Sequence, residues 1–532
     1  MNRRQLRGSG TLPMSICSDY LQNWRGAGVR YDACTILPLQ YHSSQLRLAT
    51  IIGGRIGGGI KKSSAALVLV CLTAGSAANA MTDTQTRRLA LDMFKQLVEI
   101  NTTESAGNVT TAAEAMAQRL RTAGFPESDI NLVGDDPRKK NLVVRLRGTG
   151  KARPVLLIGH LDVVEARGED WSMDPFQFIE KDGYYYGRGT SDMKDGDAIL
   201  LASLIRFREE GLRPDRDIIL ALTADEETGD ANGIEWLVEK RRDLIDAEYA
   251  LNHDGQGVNT SHGKPVSIRI GVTEKIYADF ELTVVNKGGH SSEPVADNAI
   301  YELVGALGRL ANYQFPFELN AVVRTYYERL AATESGARAA DLRGILVTPP
   351  DPAAIAHLNG NAVDYAKTHT TCVATRLSAG HANNALPQIA KAIVNCRVLP
   401  GHEPEDVRLE LIRIFAEPKL VVRYVDDSGH VRDDAASKHG FPAPVMRADV
   451  LHAVEKVAAT FWPGAPVLLS MGGTSDAARA VPAGFPVYAV SGEAADLDDH
   501  RQHGRDERIG VDAFAHAVDF YYRFLKTLLL TH

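Results

Sequence analysis

Apolar residues recur at helical spacing from Thr84 to Val98, and again from Thr111 to Phe125, where Gly124 marks a stop. Two strands are predicted next, NLVVRLRG at 141–148 and PVLLIGH at 154–160. The second is apolar throughout, as strands covered on both faces of a parallel sheet are. A hairpin with Asp-Gly at its turn is predicted over 176–189, then a helix from about Asp195 to Glu210. RDIILALTA at 216–224 reads as another buried strand, NGIEWLVEKRRDLI at 232–245 as one helix, and AEYALNHDG at 247–255 as a further strand. Strands alternating with helices predict an α/β sandwich around a mainly parallel sheet.

The pattern changes near Glu274. YADFELTVV at 277–285 alternates polar and apolar, as a half-exposed antiparallel strand does. A helix over Ala299–Ala311 follows, then a less regular stretch from about Pro316 to Thr370. Two strand-like segments, a helix over Pro404–Phe415 and the strand LVVRYVDD at 420–427 complete the series. Without the irregular stretch the order is β-α-β-β-α-β, a compact α+β domain at 274–430 inserted into a larger one made of 81–273 and 431–532. In the second part of the larger domain, a helix over Ala448–Phe461, strands PVLLSMGG and FPVYAVS, and a closing helix from Gly510 restore the α/β pattern.

The length, 532 residues, also favours two domains. Charge is unevenly spread. Residues 1–80 carry nine Lys and Arg against two Asp and Glu, leaving −15 on residues 81–532. So acidic a body excludes nucleic acid as a partner, because phosphate contacts need clustered Lys and Arg. The basic start has its own explanation. Lys61 and Lys62, the apolar run Ala65–Leu72 and the small residues Ala78-Asn79-Ala80 have the layout of a secretory signal peptide over 60–80. The run is too short for a permanent membrane span. Its position suggests that the true start lies near Gly59, with residues 1–59 an over-extended reading frame. The alternative is a genuine N-terminal extension containing a chance apolar segment. A cleaved signal implies export, to the periplasm of a bacterium. Cys372 and Cys396 fall in the two strand-like segments of the inserted domain. Both a disulfide and two buried thiols remain open there.

Candidate ligands gather where apolar strands run out into loops, the place where open α/β sheets bind ligands. His160 ends one strand, with Asp162 two residues on. Asp192 follows at YGRGTSDMKDG, Glu226 and Glu227 at ILALTADEE, and Asp254 at YALNHDG. Successive spacings of 32, 35 and 27 residues between His160, Asp192, Glu227 and Asp254 are about one βα unit each. His503 in HGRDERIG adds a second imidazole. Two histidines with three or four carboxylates suit zinc or a similar divalent ion, and one shared carboxylate can bridge two ions. Asp162 is placed to orient His160. Neighbouring side chains at a strand end diverge, so one of Glu226 and Glu227 can ligate while the other serves as general base. Each signal alone is weak, since a lone His-x-Asp is usually a polar pair and Glu-Glu a solvated turn. Their recurrence at strand ends is what makes chance improbable.

GHLDVV, GRGTSDMKDG, ADEETGD, KGGHSSEP and GGTSDA resemble, in order, the motifs of the dinuclear-zinc amidohydrolases and carboxypeptidases. That family includes aminoacylase, carboxypeptidase S, glutamate carboxypeptidase, acetylornithine deacetylase and succinyl-diaminopimelate desuccinylase. The resemblance covers about residues 85–530 and is nearest the carboxypeptidase S branch. It implies a zinc-peptidase-like α/β/α catalytic domain with an inserted lid that can also mediate a homodimer. By position it implies His160, Asp192 and Asp254 around one ion and Asp192, Glu227 and His503 around the other. Zn²⁺ is expected, with Co²⁺ or Mn²⁺ as alternatives. Glu226 would be the base and His290 a lid histidine stabilising the oxyanion, sometimes from a neighbouring subunit. Gly472, Gly473 and Thr474 would contact the substrate carboxylate, and Asn384 and Arg397 would help hold the substrate. Asp254 departs from the branch, which has Glu-Gly at NHDGQG. His262, His381, His402 and His500 are read as structural, although His500 is a near rival of His503.

These features predict an exported metal-dependent hydrolase of short peptides or N-acyl amino acids. Within that chemistry an aminoacylase or deacetylase competes with a peptidase. From another class, a non-catalytic periplasmic peptide- or metal-binding protein competes, and retention of Glu226 argues against it.

Overall fold

The computed structural model describes residues 81–228, 231–255 and 257–530. The signal-like segment at 60–80 and everything before it lie outside the described residues. A sheet of ten strands organises the larger part. Ile218–Thr223, Val155–His160, Tyr249–Asn252 and Val487–Ala489 lie side by side and parallel at its centre. Antiparallel strands extend it at both margins, Asn141–Leu146 beside Ile218–Thr223 and Val258–Ser261 beside Lys264–Glu274. The sheet is therefore mixed, with a parallel heart.

The central strands are apolar throughout because both faces are covered. Leu157, Leu220 and Leu222 pack against the helices Asp83–Val98, Lys194–Glu209 and Val511–Leu529. Their neighbours Leu156, Ile158, Ile219 and Ala221 point the other way, onto Ile234 and Leu237 of the helix Gly233–Lys240. Adjacent strand residues thus feed two cores, which is the two-residue strand period at work. The hairpin forms as predicted, with Asp182 at φ 51 and Gly183 at φ 79 supplying the two positive angles of its turn. One predicted helix is broken. Arg241, at φ −140 and ψ 44, divides 232–245 into Gly233–Lys240 and Arg242–Ile245.

A second, antiparallel sheet runs Thr371–Ala379, Ile389–Val398, Ile276–Val285, Leu420–Val425 and the short Val431–Arg432. The helices Ala299–Ala311 and Pro404–Phe415 cover one face, burying Phe280, Leu282, Leu303, Val394 and Leu411 together. The stretch expected to be irregular is helical instead: Ala321–Thr333, Gly336–Leu346, Pro352–Asn359 and Ala362–Thr368. Asn320, Asp351 and Asn361 accept backbone N–H bonds as N-caps. Val323, Tyr327, Leu342, Ile345 and Leu358 form a small core of their own.

One residue separates the two sheets. Lys275 follows Lys264–Glu274 and precedes Ile276–Val285. Its buried ammonium donates to the carbonyls of Ala366 (2.9 Å) and His369 (2.8 Å) and to Thr371 Oγ1 (3.2 Å). The joint is thereby tied to the end of the helical stretch and to the first residue of the outer strand. Among the described residues no helix is long and apolar enough to cross a membrane.

Cys372 and Cys396 are directly opposed partners in neighbouring strands and are joined by a disulfide. The link closes a loop of 24 residues, a cross-link of the kind that typically stabilises by about 2–4 kcal/mol. Cys372→Ala is expected to lower the denaturant midpoint accordingly under non-reducing conditions. An unchanged midpoint would mean that the two thiols are free.

Candidate metal centre

The register of the parallel strands brings the candidate ligands to one edge. His160 is paired with Thr223, so those two strands end level, and Asn252 is paired with Ile158, so the third ends two residues short of them. His160 ends its strand, and the turns after the other two carry Glu226 with Glu227, and Asp254. Asp192 lies in the turn before the helix Lys194–Glu209. His503 enters from the loop ahead of the strand Arg508–Gly510, at φ 59.

Asp192 sits between the two imidazoles. Its Oδ1 is 3.3 Å from His160 Nε2 and its Oδ2 3.0 Å from His503 Nε2. Glu227 Oε1 is 3.1 Å from the same nitrogen of His503. Ligand atoms of His160, Asp192 and Asp254 lie within 4.8 Å of one another, as do those of Asp192, Glu227 and His503 and those of His160, Glu226 and Glu227. His500 belongs to none of these groups. His160 Nδ1 is 3.1 Å from the backbone carbonyl of Asp162, which assigns Nδ1 as the donor. Nε2 is buried and, among the described residues, has only the Asp192 carboxylate at ion-pair distance. A buried imidazole nitrogen facing a carboxylate, that carboxylate with one oxygen toward each of two histidines, and further acids within reach fit a pair of divalent cations.

The acidic turn is held by its neighbours. Asp225 adopts φ 63 and accepts from Lys139 Nζ (2.9 Å), Thr228 Oγ1 and the Ala231 N–H. The Asp162 carboxylate accepts the N–H groups of Glu226 (3.1 Å) and Glu227 (3.0 Å). Asp162, expected to orient His160, meets it twice, through its backbone carbonyl at 3.1 Å and its carboxylate at 3.8 Å. The carbonyl makes the hydrogen bond, and the carboxylate also shapes the Glu226–Glu227 turn.

Electrostatics follow from crowding. Burial raises Glu226 well above the usual carboxylate range, and the charges of Asp254, Asp476 and Glu227 add to it. Burial does the same to Asp254, helped by Asp192, and pushes Asp162 up to about 6. Asp192 is held below the usual range, because its contacts with His160 and His503 outweigh its burial. His503 rises to about 10 through its hydrogen bonds to Asp192 and Glu227. A cation that binds here must displace any protons these groups carry.

A family model described as peptidase family M20/M25/M40 matches residues 156–527. The chain belongs to this family. It is 28% identical over 386 residues to N-fatty-acyl-amino acid synthase/hydrolase PM20D1 of Xenopus tropicalis, covering 70% of this chain and 72% of the relative. It is 27% identical over 420 residues to probable carboxypeptidase S-like 2 of Dictyostelium discoideum, covering 73% and 74%. The crystal structure of the M20 family metallo-carboxypeptidase Sso-CP2 from Sulfolobus solfataricus superposes with a TM-score of 0.61 at 18% identity, over 82% of this chain and 98% of that one. The α/β fold expected from the sequence is that of the family, and the chain is a hydrolase.

In this M20 hydrolase a cleft of about 860 Å³ has Glu226, Glu227, Arg397, Gly473 and Thr474 in its walls. Arg397 stacks on Tyr277, 4.7 Å from its ring, and donates to Thr474 Oγ1 at 2.9 Å. His290 and Asn384 are elsewhere. His290 lies exposed on a two-residue ladder with Ala385 and Leu386, its Nδ1 2.7 Å from Ser292 Oγ. Asn384 is exposed beside it, accepting the Ser291 N–H through its carbonyl. Neither lines the cleft.

Two residues passed over in the sequence brace the site. Arg188 and Glu507, both buried, pair at 2.5 Å. Arg188 also donates to the carbonyl of Gly504 (3.1 Å), next to His503, and Glu507 accepts the Ser191 N–H (2.8 Å), next to Asp192. The pair fastens the His503 loop to the Asp192 turn. Its only sequence signal is proximity, since Arg188 precedes Asp192 by four residues and Glu507 follows His503 by four. Glu507→Gln leaves a buried guanidinium unpaired and is expected to destabilise the protein by about 3–5 kcal/mol. A denaturant melt measures this, and a loss under about 1 kcal/mol, the value of an exposed pair, would contradict the burial.

Proposed function

We propose that this chain hydrolyses the amide bond of short peptides with a free C-terminal carboxylate, or of N-acyl amino acids, using two divalent ions. Zinc is the first candidate, with cobalt or manganese as alternatives. The observation that carries the reading is the single carboxylate of Asp192 lying between His160 and His503. His160, Asp254 and one oxygen of Asp192 would hold one ion, and His503, Glu227 and the other oxygen the second. When bound, such ions polarise the scissile carbonyl and acidify a water.

Glu226 lines the cleft, and among the described residues no side chain donates a hydrogen bond or ion pair to its carboxylate. It is therefore available to take a proton from the attacking water and deliver it to the leaving nitrogen. The water oxygen bonds to the carbonyl carbon, the C–N bond breaks, and an acid and an amine leave. Arg397, oriented by Tyr277 and Thr474, takes the substrate carboxylate, for which its planar fork is suited. The loop Gly472–Thr474 offers backbone contacts beside it. In this reading His290 reaches the oxyanion only when the lid at 274–430 closes on the body at 81–273 and 431–532, or from a second copy, and Asn384 arrives with it. The relatives support both substrate classes by name. The disulfide agrees with export through a signal at 60–80, because such links persist in oxidising compartments.

Glu226→Gln is expected to keep its metal content and lose roughly 10²–10⁴-fold in turnover, and unchanged activity with full metal content would reject Glu226 as the base. Dialysis against a chelator should abolish hydrolysis and added zinc should restore it. An enzyme indifferent to both treatments would sink the metal mechanism.

A further inference from the structure

A second, smaller cavity adjoins the acidic cluster. It measures about 100 Å³ and has Asp254 in its wall, whereas the open cleft has Glu226 and Glu227. Phe441, Gly473 and Thr474 line both spaces, so the two share a wall at the point where Arg397 donates to Thr474. The rest of the small cavity is mostly aliphatic, with Val272, Val481, Val487 and Ala489 facing it. Its remaining acid is Glu274, whose two oxygens accept the N–H (3.0 Å) and the hydroxyl (2.5 Å) of Ser475. No lysine or arginine lines it.

We infer that this cavity receives the side chain of the amino acid released by hydrolysis, and that it selects neutral aliphatic side chains up to about the size of leucine. The inference rests on the amide-hydrolase reading above. An amino acid whose carboxylate lies on Arg397, beside Thr474, has its Cα next to the shared wall. Its nitrogen, the scissile one, must point toward Glu226 and the ligand cluster. The side chain is the substituent left to enter the cavity beside Gly473 and Thr474, while the acyl portion extends into the open cleft. Size then sets an upper limit. A cavity of roughly 150 Å³ takes up benzene, so about 100 Å³ admits a branched aliphatic group and excludes an indole. Charge sets a second limit. An acidic side chain would be desolvated against Glu274 with no lysine or arginine in the wall, which is strongly unfavourable.

The test is a panel of N-acetyl amino acids (Gly, Ala, Val, Leu, Phe, Trp and Glu) with the zinc-loaded full-length enzyme, repeated with Ala-X dipeptides. kcat/KM is expected to peak within Ala, Val and Leu and to fall at least roughly 10-fold for Trp and Glu, the discrimination a methylene-sized misfit commonly produces. Ala489→Phe, which fills the cavity, should move the optimum to Gly, and Glu274→Gln should raise Glu relative to Leu. Turnover with a flat profile, or with Trp or Glu preferred, overturns the inference alone and leaves the amide-hydrolase reading standing. No turnover of any member in either series overturns that reading, and this inference with it. The wild-type panel decides the matter even where a variant fails to fold.

Discussion

The site is organised by like charge forced together at the ends of buried strands. Acids there fall into two kinds. Asp225, Asp162 and Glu507 are matched by protein donors, namely Lys139, the backbone of the Glu226–Glu227 turn, and Arg188. Asp192, Glu227 and Asp254 are not, for among the described residues no lysine or arginine comes within ion-pair distance of them. The matched acids hold the turns in place. The unmatched ones are left with imidazoles and one another, an arrangement that is costly in a poorly solvated place unless cations or protons join it. Stability and chemistry are thus divided between neighbouring side chains rather than shared by each.

That division explains which parts were legible in the sequence. An all-apolar run that stops at a histidine or an acid is visible in one dimension, and the period of about one βα unit shows that the stops recur. His160, Asp192, Glu227 and Asp254 could therefore be collected without a structure. The braces could not be. Arg188 and Glu507 are separated by 319 residues, and neither stands out from the ordinary charged residues around it. Asp162 was visible, but whether its carbonyl or its carboxylate makes the hydrogen bond to His160 depends on local backbone direction. The helices over 321–368 were missed because their apolar faces are short and cover a small core of their own. Their signal was the caps Asn320, Asp351 and Asn361 rather than a hydrophobic stripe.

The relation between the acidic cluster and Arg397 depends on a single residue of chain. Glu274 ends the strand that carries the wall of the small cavity, and Ile276 begins the strand paired with Arg397 through Tyr277. Lys275 between them is fixed on every side. Its carbonyl is 3.3 Å from Thr474 Oγ1, its N–H reaches the carbonyl of Gly472 at 3.5 Å, and its ammonium holds Ala366, His369 and Thr371. Burial, with the charge of Arg397 nearby, lowers that ammonium to about 7, and three oxygen acceptors offset the cost of placing it there. The same threonine that bonds Lys275 accepts from Arg397. Arg397 and the joint between the sheets therefore meet at Thr474, so the distance from the guanidinium to the acidic cluster is set by the joint and by the loop Gly472–Thr474. His290, on a two-residue ladder, and Asn384 beside it are the proposed contacts that lie outside the cleft and that the proposed lid closure or a second copy would have to bring in.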